Sequence, residues 1–324
     1  MWNKLACGAL ALAGACMIPA VSAQTRDFPN RPVRVVVPTS PGGVIDVVTR
    51  LVGVKVTEVM GQPLVVDNRA GASTTIGTEA VARAPADGYT LLSTTLPLVV
   101  NPALFKKLAF DVEKDFAPIS LLTASPYVLV VHPSVPARTV KELIALAKAK
   151  PGALNFSSGG NGTNLHVAAE LFNHLAGIRI THVPYKGGGP ALASVIAGET
   201  GYSFPSLPAV LPQVNAGRLR ALGMTSSTRS TLLPGVPTIA ESGMPGYEFT
   251  SWVGVLAPAK TPPEIVTALN GYFVKAIRSP ELSGRLAADG TEIVAGSPAQ
   301  FAALIKAELP RWAKIVRETG LQAE

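Results

Sequence analysis

The chain has 324 residues, 48% of them hydrophobic and 15% charged, with a net charge of +7. That length suits two domains of ordinary size, and the scattered Lys and Arg, never interleaved with aromatics in a basic run, argue against a nucleic-acid partner. Both cysteines, Cys7 and Cys16, fall in the first 23 residues, so the remainder offers no disulfide, thiolate metal site or cysteine nucleophile.

The first residues read as an export signal. Met1-Trp2-Asn3-Lys4 is a short positive start, Leu5 to Ile18 is apolar and rich in alanine, and Val21-Ser22-Ala23 supplies small residues before a cleavage point at Gln24. The apolar stretch is short for a membrane anchor. Lipid attachment at Cys16 is the competing reading, but Ala13-Gly14-Ala15 lacks the leucine expected three residues before it.

Beyond the signal, strand-like and helix-like patterns alternate. Val33 to Val37 is β-branched and predicts a buried strand. A helix follows from about Gly43 to Met60, stopped by Gly61 and Pro63, then a strand at Leu64 to Val66 and a helix from about Thr74 to Ala84. Strands are expected at Tyr89 to Thr95, Ile119 to Thr123 and Tyr127 to Val131, the last two split by Ser125-Pro126. Thr139 caps a helix to Lys150. A strand at Leu154 to Ser157, a helix from Thr163 to Leu175, a strand at Ile178 to Tyr185 and a helix near Pro190 to Ala197 come next, then strands at Tyr202 to Phe204 and Leu219 to Thr225. Pro234 to Tyr247 reads as a long loop and Trp252 to Leu256 as a strand. Three helices close the chain, starting near Thr261, Pro280 and Ser297, and Pro310 is expected to kink or split the last. The alternation predicts an α/β fold of two lobes, each a mainly parallel sheet flanked by helices.

Four strand-to-helix junctions are built from glycine and small residues: Ser40 to Gly43, Arg69 to Thr74, Ser157 to Thr163, and Tyr185 to Gly189. A helix start presents unpaired N–H groups and partial positive charge, and glycine lets a ligand approach them closely. Several such ends aimed at one crevice would trap an anion.

These junctions, in this order and spacing, resemble the periplasmic solute-binding receptors of tripartite tricarboxylate transporters, the Bug family. The resemblance rests on Pro38 to Arg50, Asn68 to Leu92, Asn161 to Phe172, His182 to Ala191, Gly217 to Thr225 and Leu256 to Pro263. It implies a flytrap receptor that closes on a small carboxylate, with a discontinuous first lobe (24–124 plus 250–324), a second lobe at 125–249, and hinges near Ala124–Tyr127 and Thr250–Val253. It also implies delivery to membrane transporter subunits or to a sensor protein, a monomer, no cofactor and no catalysis. The chain departs from the family pattern at Thr39, where an aromatic residue is frequent, at Ile45, where a small hydroxyl residue is frequent, and at Pro205, where an acid is frequent.

The ligand-binding candidates are Thr39, Ser40, Gly42 and Gly43 in the first junction, Thr94 and Thr95 at a strand end, Ser157, Gly160, Asn161 and Thr163 in the third junction, and Tyr185, Phe204 and Ser206 after later strands. Thr163 or Asn161 also suits a helix cap. Asp46 reads as a structural first-turn acid paired with Arg50 four residues on. His166, Glu170 and His174 share a helix face at metal-ligand spacing, yet apolar Val167, Leu171 and Leu175 lie beside them and no metal is expected. Ser158 and His166 lack the elbow motif and orienting acid of a hydrolase. Three readings remain open: a transport receptor, a sensory or orphan binding protein, and an enzyme on a similar fold.

Overall fold

The computed structural model describes residues 28–321. The expected export signal and cleavage point, with Cys7 and Cys16, lie outside these residues. Among the described residues no helix is long and apolar enough to cross a membrane.

The first sheet begins with β1 (Val33–Val37), buried except for half-buried Arg34, as an internal strand requires. It leads into α1 (Val44–Met60), which ends where Gly61 turns left-handed (φ +74°) and donates its N–H to Thr57 O. Then come β2 (Leu64–Asn68), a 3-10 turn (Ala72–Thr74), α2 (Thr75–Ala82), β3 (Thr90–Thr94), α3 (Pro97–Leu104) and β4 (Phe116–Pro126). The second sheet is built by β5 (Val128–Val131), α4 (Val140–Ala149), β6 (Asn155–Ser158), α5 (Asn164–Ala176), β7 (Thr181–Pro184), α6 (Gly188–Ile196), β8 (Tyr202–Ser203), α7 (Leu207–Asn215) and β9 (Arg220–Met224). The chain returns through β10 (Thr250–Pro258), α8 (Pro263–Ile277), α9 (Pro280–Ala288), β11 (Glu292–Ile293) and α10 (Pro298–Thr319).

The strand orders are β11-β4-β10-β3-β1-β2 and β7-β6-β8-β5-β9. Both sheets are mixed, which corrects the expectation of mainly parallel pairing. β1 runs parallel to β2 and β3, and β6 parallel to β7 and β8, because helices return the chain to the same starting edge. β10 is antiparallel to β3 and β4, and β5 to β8 and β9. β5 is entered straight from β4 and β10 from the loop that follows β9, so each comes from the other sheet and starts at the edge where its helix-fed neighbours end. The crossing segments pair with each other, Thr250 with Pro126 and Ser251 with Ser125.

Apolar, mostly aliphatic side chains of β1, α1 and α8, including Val35, Val52, Leu269 and Phe273, fill one core. The second lobe is centred on aromatic rings: Phe204 lies within 6.2 Å of the rings of Phe172, Tyr202 and Tyr247. Helix α10 packs on α3 and β4 and reaches α5, with Trp312 buried edge-on to Phe249. It is not split at Pro310, and its buried face (Phe301, Ile305, Trp312, Val316) runs across the proline. Helices α3 and α7 carry Pro102 and Pro212 inside them and were not expected from the pattern. Segment 234–247 is a loop, pinned by the backbone pair of Met224 and Thr238.

Candidate functional site

The four glycine junctions follow β1, β2, β6 and β7, the carboxyl ends of two parallel pairs. Ligands of open α/β sheets bind outside that edge. Hydrogen bonds link the junctions in series. Asn68 Nδ2 donates to Thr39 O at 3.1 Å, joining the first to the second. Ser73 Oγ donates to Asn161 O at 3.0 Å, joining the second to the third across the lobes. Gly187 N donates to Gly159 O at 3.1 Å, joining the third to the fourth. A Cβ at Gly159 would lie 3.0 Å from the Gly187 carbonyl carbon, so these last two loops touch through bare backbone.

The cross-lobe contact is built from an unusual turn. Ala72, Ser73 and Thr74 all have positive φ (43°, 50° and 78°), a conformation that costs an L-residue roughly 1–2 kcal/mol. Asn101 Nδ2, from α3, holds the turn by donating to Ser73 O at 2.7 Å. Gly162 sits against the same surface: a Cβ there would lie 3.1 Å from Leu104 Cδ1 and 3.6 Å from Asn101 Oδ1.

A second polar cluster lies where the chain crosses between sheets. Thr95 Oγ1 and Ser251 Oγ are 2.9 Å apart, and Asn164 Nδ2 donates to Ser251 Oγ at 2.7 Å and to Tyr127 OH at 2.9 Å. Burial raises the Tyr127 phenol pKa, while its bonds to Asn164 and Ser251 act the other way. Asn164 Oδ1, Asn101 Oδ1 and Thr39 Oγ1 are buried without a hydrogen-bond partner among the described residues. Buried polar atoms are nearly always paired, so these acceptors retain capacity for a polar ligand group or a water.

The candidate residues divide. Ser40, Gly42 and Gly43 are exposed at the start of α1, but the Gly42 N–H is already donated to Asp46 Oδ2 at 2.9 Å. Gly160 (φ +114°), Asn161 and Thr163 form the half-buried third loop; Thr163 occupies the N-cap position of α5 but its hydroxyl donates to Gly160 O. Tyr185 is half-buried beside that loop, its N–H on Ser158 O. Ser157 and Phe204 are corrections: the Ser157 hydroxyl turns inward to Ala191 O at 2.9 Å, and Phe204 is fully buried in the aromatic core. Thr94 and Ser206 are buried too, and Ser206 bridges Tyr127. Ile45 faces the aliphatic core. Asn68, Ser73, Asn101, Asn164 and Ser251 were not among the candidates, because single Asn and Ser residues carry no spacing signal.

Electrostatically the junctions rely on backbone. Arg69 is exposed and bonded to Asp67 at 2.9 Å, and Lys186 is exposed. Asp46 is the buried acid nearby, and it is fully engaged by Arg50, Asn68 and the Gly42 amide. Ser158 Oγ meets His182 Nε2 at 2.6 Å rather than His166, and it also anchors the Gly160 amide. His166 stacks on His182 (ring centroids 4.1 Å) and accepts the Gly162 N–H on Nδ1. Burial, then the neighbouring His182, pushes the His166 pKa down to about 3. His166 Nε2 is 4.0 Å from Glu170 Oε1, and no group of three or more His, Cys, Asp or Glu is placed to hold a metal among the described residues.

Two mixed α/β lobes with ligand-type loops at their facing strand ends define a binding protein of the periplasmic type. The family model described as tripartite tricarboxylate transporter family receptor matches residues 48–321, and the chain belongs to that family. Protein BugT of Bordetella pertussis (strain Tohama I) is 40% identical over 322 residues, covering 99% of this chain and 98% of BugT. Among solved structures, R. palustris Rpa4515 with adipate has a TM-score of 0.86 at 37% identity, covering 91% of this chain and 99% of that one. MatC (Rpa3494) from Rhodopseudomonas palustris, with bound malate, has a TM-score of 0.84 at 33% identity over 89% of this chain and all of that one. Receptors of this family are periplasmic binding proteins.

Proposed function

We propose that this chain is an extracytoplasmic receptor that captures a small carboxylate between its lobes and delivers it to a membrane transporter. The observation that carries this is the linkage of four glycine junctions, two from each sheet, into one continuous rim. Backbone amides and hydroxyls hold the carboxylate, since the nearby cations are exposed and one is paired. Thr39, Gly43, Gly160, Asn161, Thr163 and Tyr185 are the contacts retained from the sequence. The relatives solved with adipate and malate support a carboxylate of that size.

On this reading the first lobe is 24–124 plus 250–324, which the membership of β10 and β11 in the first sheet supports. The lobes rotate about the paired segments near Pro126 and Thr250. The Ser73 to Asn161 contact forms on closure. The protein is exported by cleavage after Ala23, acts as a monomer and performs no catalysis. A thermal-shift panel of mono-, di- and aromatic carboxylates tests it, because a ligand bound only by the folded state raises Tm. At least one small carboxylate should stabilise the protein in a saturable way, and a flat response across the panel overturns the reading.

A further inference from the structure

The first glycine loop has few internal supports of its own. Residues 40–43 are exposed, lie in no strand, and pass through Gly42 at φ +85° before α1 begins. Its two ends are nevertheless fixed by one network. At the near end Asn68 Nδ2, on β2, donates to Thr39 O at 3.1 Å. At the far end the Gly42 N–H donates to Asp46 Oδ2 at 2.9 Å. The same Asn68 amide also donates to Asp46 Oδ1 at 2.9 Å, so one side chain joins both ends. Arg50 completes the network, giving Nε to Asp46 Oδ1 at 2.9 Å and Nη2 to Asn68 Oδ1 at 2.7 Å.

We infer that Asn68 is a positioning residue of the carboxylate site: its amide clamps the first glycine loop so that the start of α1 faces the ligand. This rests on the receptor reading above. The chemistry requires an amide. Its two N–H groups serve two acceptors while its oxygen takes the guanidinium. Aspartate would offer no donor and would set a second carboxylate against Asp46, and alanine would leave Thr39 O and part of Asp46 unsupported. Because Asp46 and Arg50 offset each other's charge, the clamp adds no net charge to an anion site. It consumes the Gly42 N–H and leaves the first-turn amides of α1, which have no partner within the helix, as the donors available to a ligand.

The network also gives the clamp a signature in pH. Burial pushes the Asp46 pKa up, but the Arg50 hydrogen bond, the Gly42 amide, Asn68 and the Arg50 charge together bring it below the usual aspartate value. Arg50, from the same helix, is the charged group acting on it; Asn68 on β2 and Gly42 in the loop are neutral. Removing Asn68 takes away one lowering contact, so Asp46 protonates at higher pH and releases Gly42 sooner as pH falls.

The experiment compares wild type with Asn68→Ala and Asn68→Asp, using adipate and malate as probes in calorimetric titrations at pH 7.5, where both probes are ionised, with 13C NMR titration of the Asp46 carboxyl from pH 6 down to the acid limit of folding and 15N heteronuclear NOEs of the Gly42 and Gly43 amides in the unliganded proteins. Affinity at pH 7.5 should fall by about tenfold or more, the scale of a lost hydrogen bond that leaves a buried partner unsatisfied. In Asn68→Ala the Asp46 carboxyl should titrate at higher pH than in wild type, and both amides should lose order. Loss of side-chain packing alone predicts neither of those last two changes. Wild-type-like affinity and Asp46 titration in Asn68→Ala overturn the inference, as do loop amides that stay as ordered as in wild type. If wild type binds neither probe, the receptor reading loses its support from these two ligands, while the amide measurement still decides the clamp.

Discussion

Replacing Gly162 by alanine separates the cost of backbone strain from the cost of lobe contact. Gly162 has φ +71°, so an alanine there pays roughly 1–2 kcal/mol for a left-handed L-residue. For a chain of this size that lowers Tm by roughly 2–3 °C. The second cost is steric: the new methyl carbon would lie 3.1 Å from Leu104 Cδ1, where ordinary carbon contacts are about 3.5–4.0 Å. Asn101 Oδ1 at 3.6 Å and Ser73 Cβ at 3.9 Å bound the same space. Overpacking of this kind costs about 1–3 kcal/mol. Because Leu104, Asn101 and Ser73 belong to the opposite lobe, that penalty falls on the closed form and appears in affinity, as a loss of roughly 5- to 150-fold. Gly177→Ala is the control. Gly177 also has positive φ (60°), at the end of α5, but a Cβ there meets nothing within 4 Å. Calorimetric titration with whichever carboxylate stabilises wild type, alongside melting curves, should show both variants losing Tm and only Gly162→Ala losing affinity. Equal losses of Tm with unchanged affinity in both would refute the interlobe contact as part of binding.

Ser73→Ala removes the hydrogen bond to Asn161 O while leaving every glycine of the junctions in place; stopped-flow measurement should show faster ligand release with little change in association, and an unchanged release rate would count against the closed contact. Lys186→Ala should shift affinity by less than about 1 kcal/mol, as for any exposed charge, and abolished binding would disprove a backbone-held carboxylate. For His166 the folded pKa of about 3 lies below the ordinary 6.5. The unfolded chain therefore takes up a proton first as pH falls, and the stability this residue contributes is full above 6.5 and is lost from there down toward about 3. Between pH 7.5 and 5.5 the loss is about 1.4 kcal/mol, or roughly 2 °C in Tm, and His166→Phe should flatten that slope; an identical slope in the variant would contradict a buried neutral imidazole.

The sequence carried the local features well. β1 and α1 follow from a β-branched run and a glycine stop, Thr139 accepts the Glu142 N–H as a cap, and Asp46 pairs with Arg50 as its spacing suggests. What it could not carry was long-range. The insertion of β10 between β3 and β4 joins residues more than a hundred positions apart, and no local pattern encodes it. The pattern assigned no element to α3 or α7, each of which carries a proline inside it, although Pro97 and Pro208 stand in their first turns, where proline is tolerated. In the site, glycine loops were legible because their composition announces backbone exposure. The direction of Ser157 and Phe204 was not, since a strand end can turn either face to the core. The amides of Asn68, Asn101 and Asn164 gain their meaning from partners 18 to 87 residues away, among them Arg50, Asp46, Thr39, Ser73 and Ser251.

The most direct test of a carboxylate receptor is calorimetric titration of the protein beginning at Gln24 with adipate, malate and the corresponding uncharged diamides, followed by analysis of the recovered ligand. Saturable one-to-one binding of a carboxylate, none of its diamide, and ligand recovered unchanged is the predicted result. Equal binding of the diamide, or conversion of the carboxylate into a product, would contradict it.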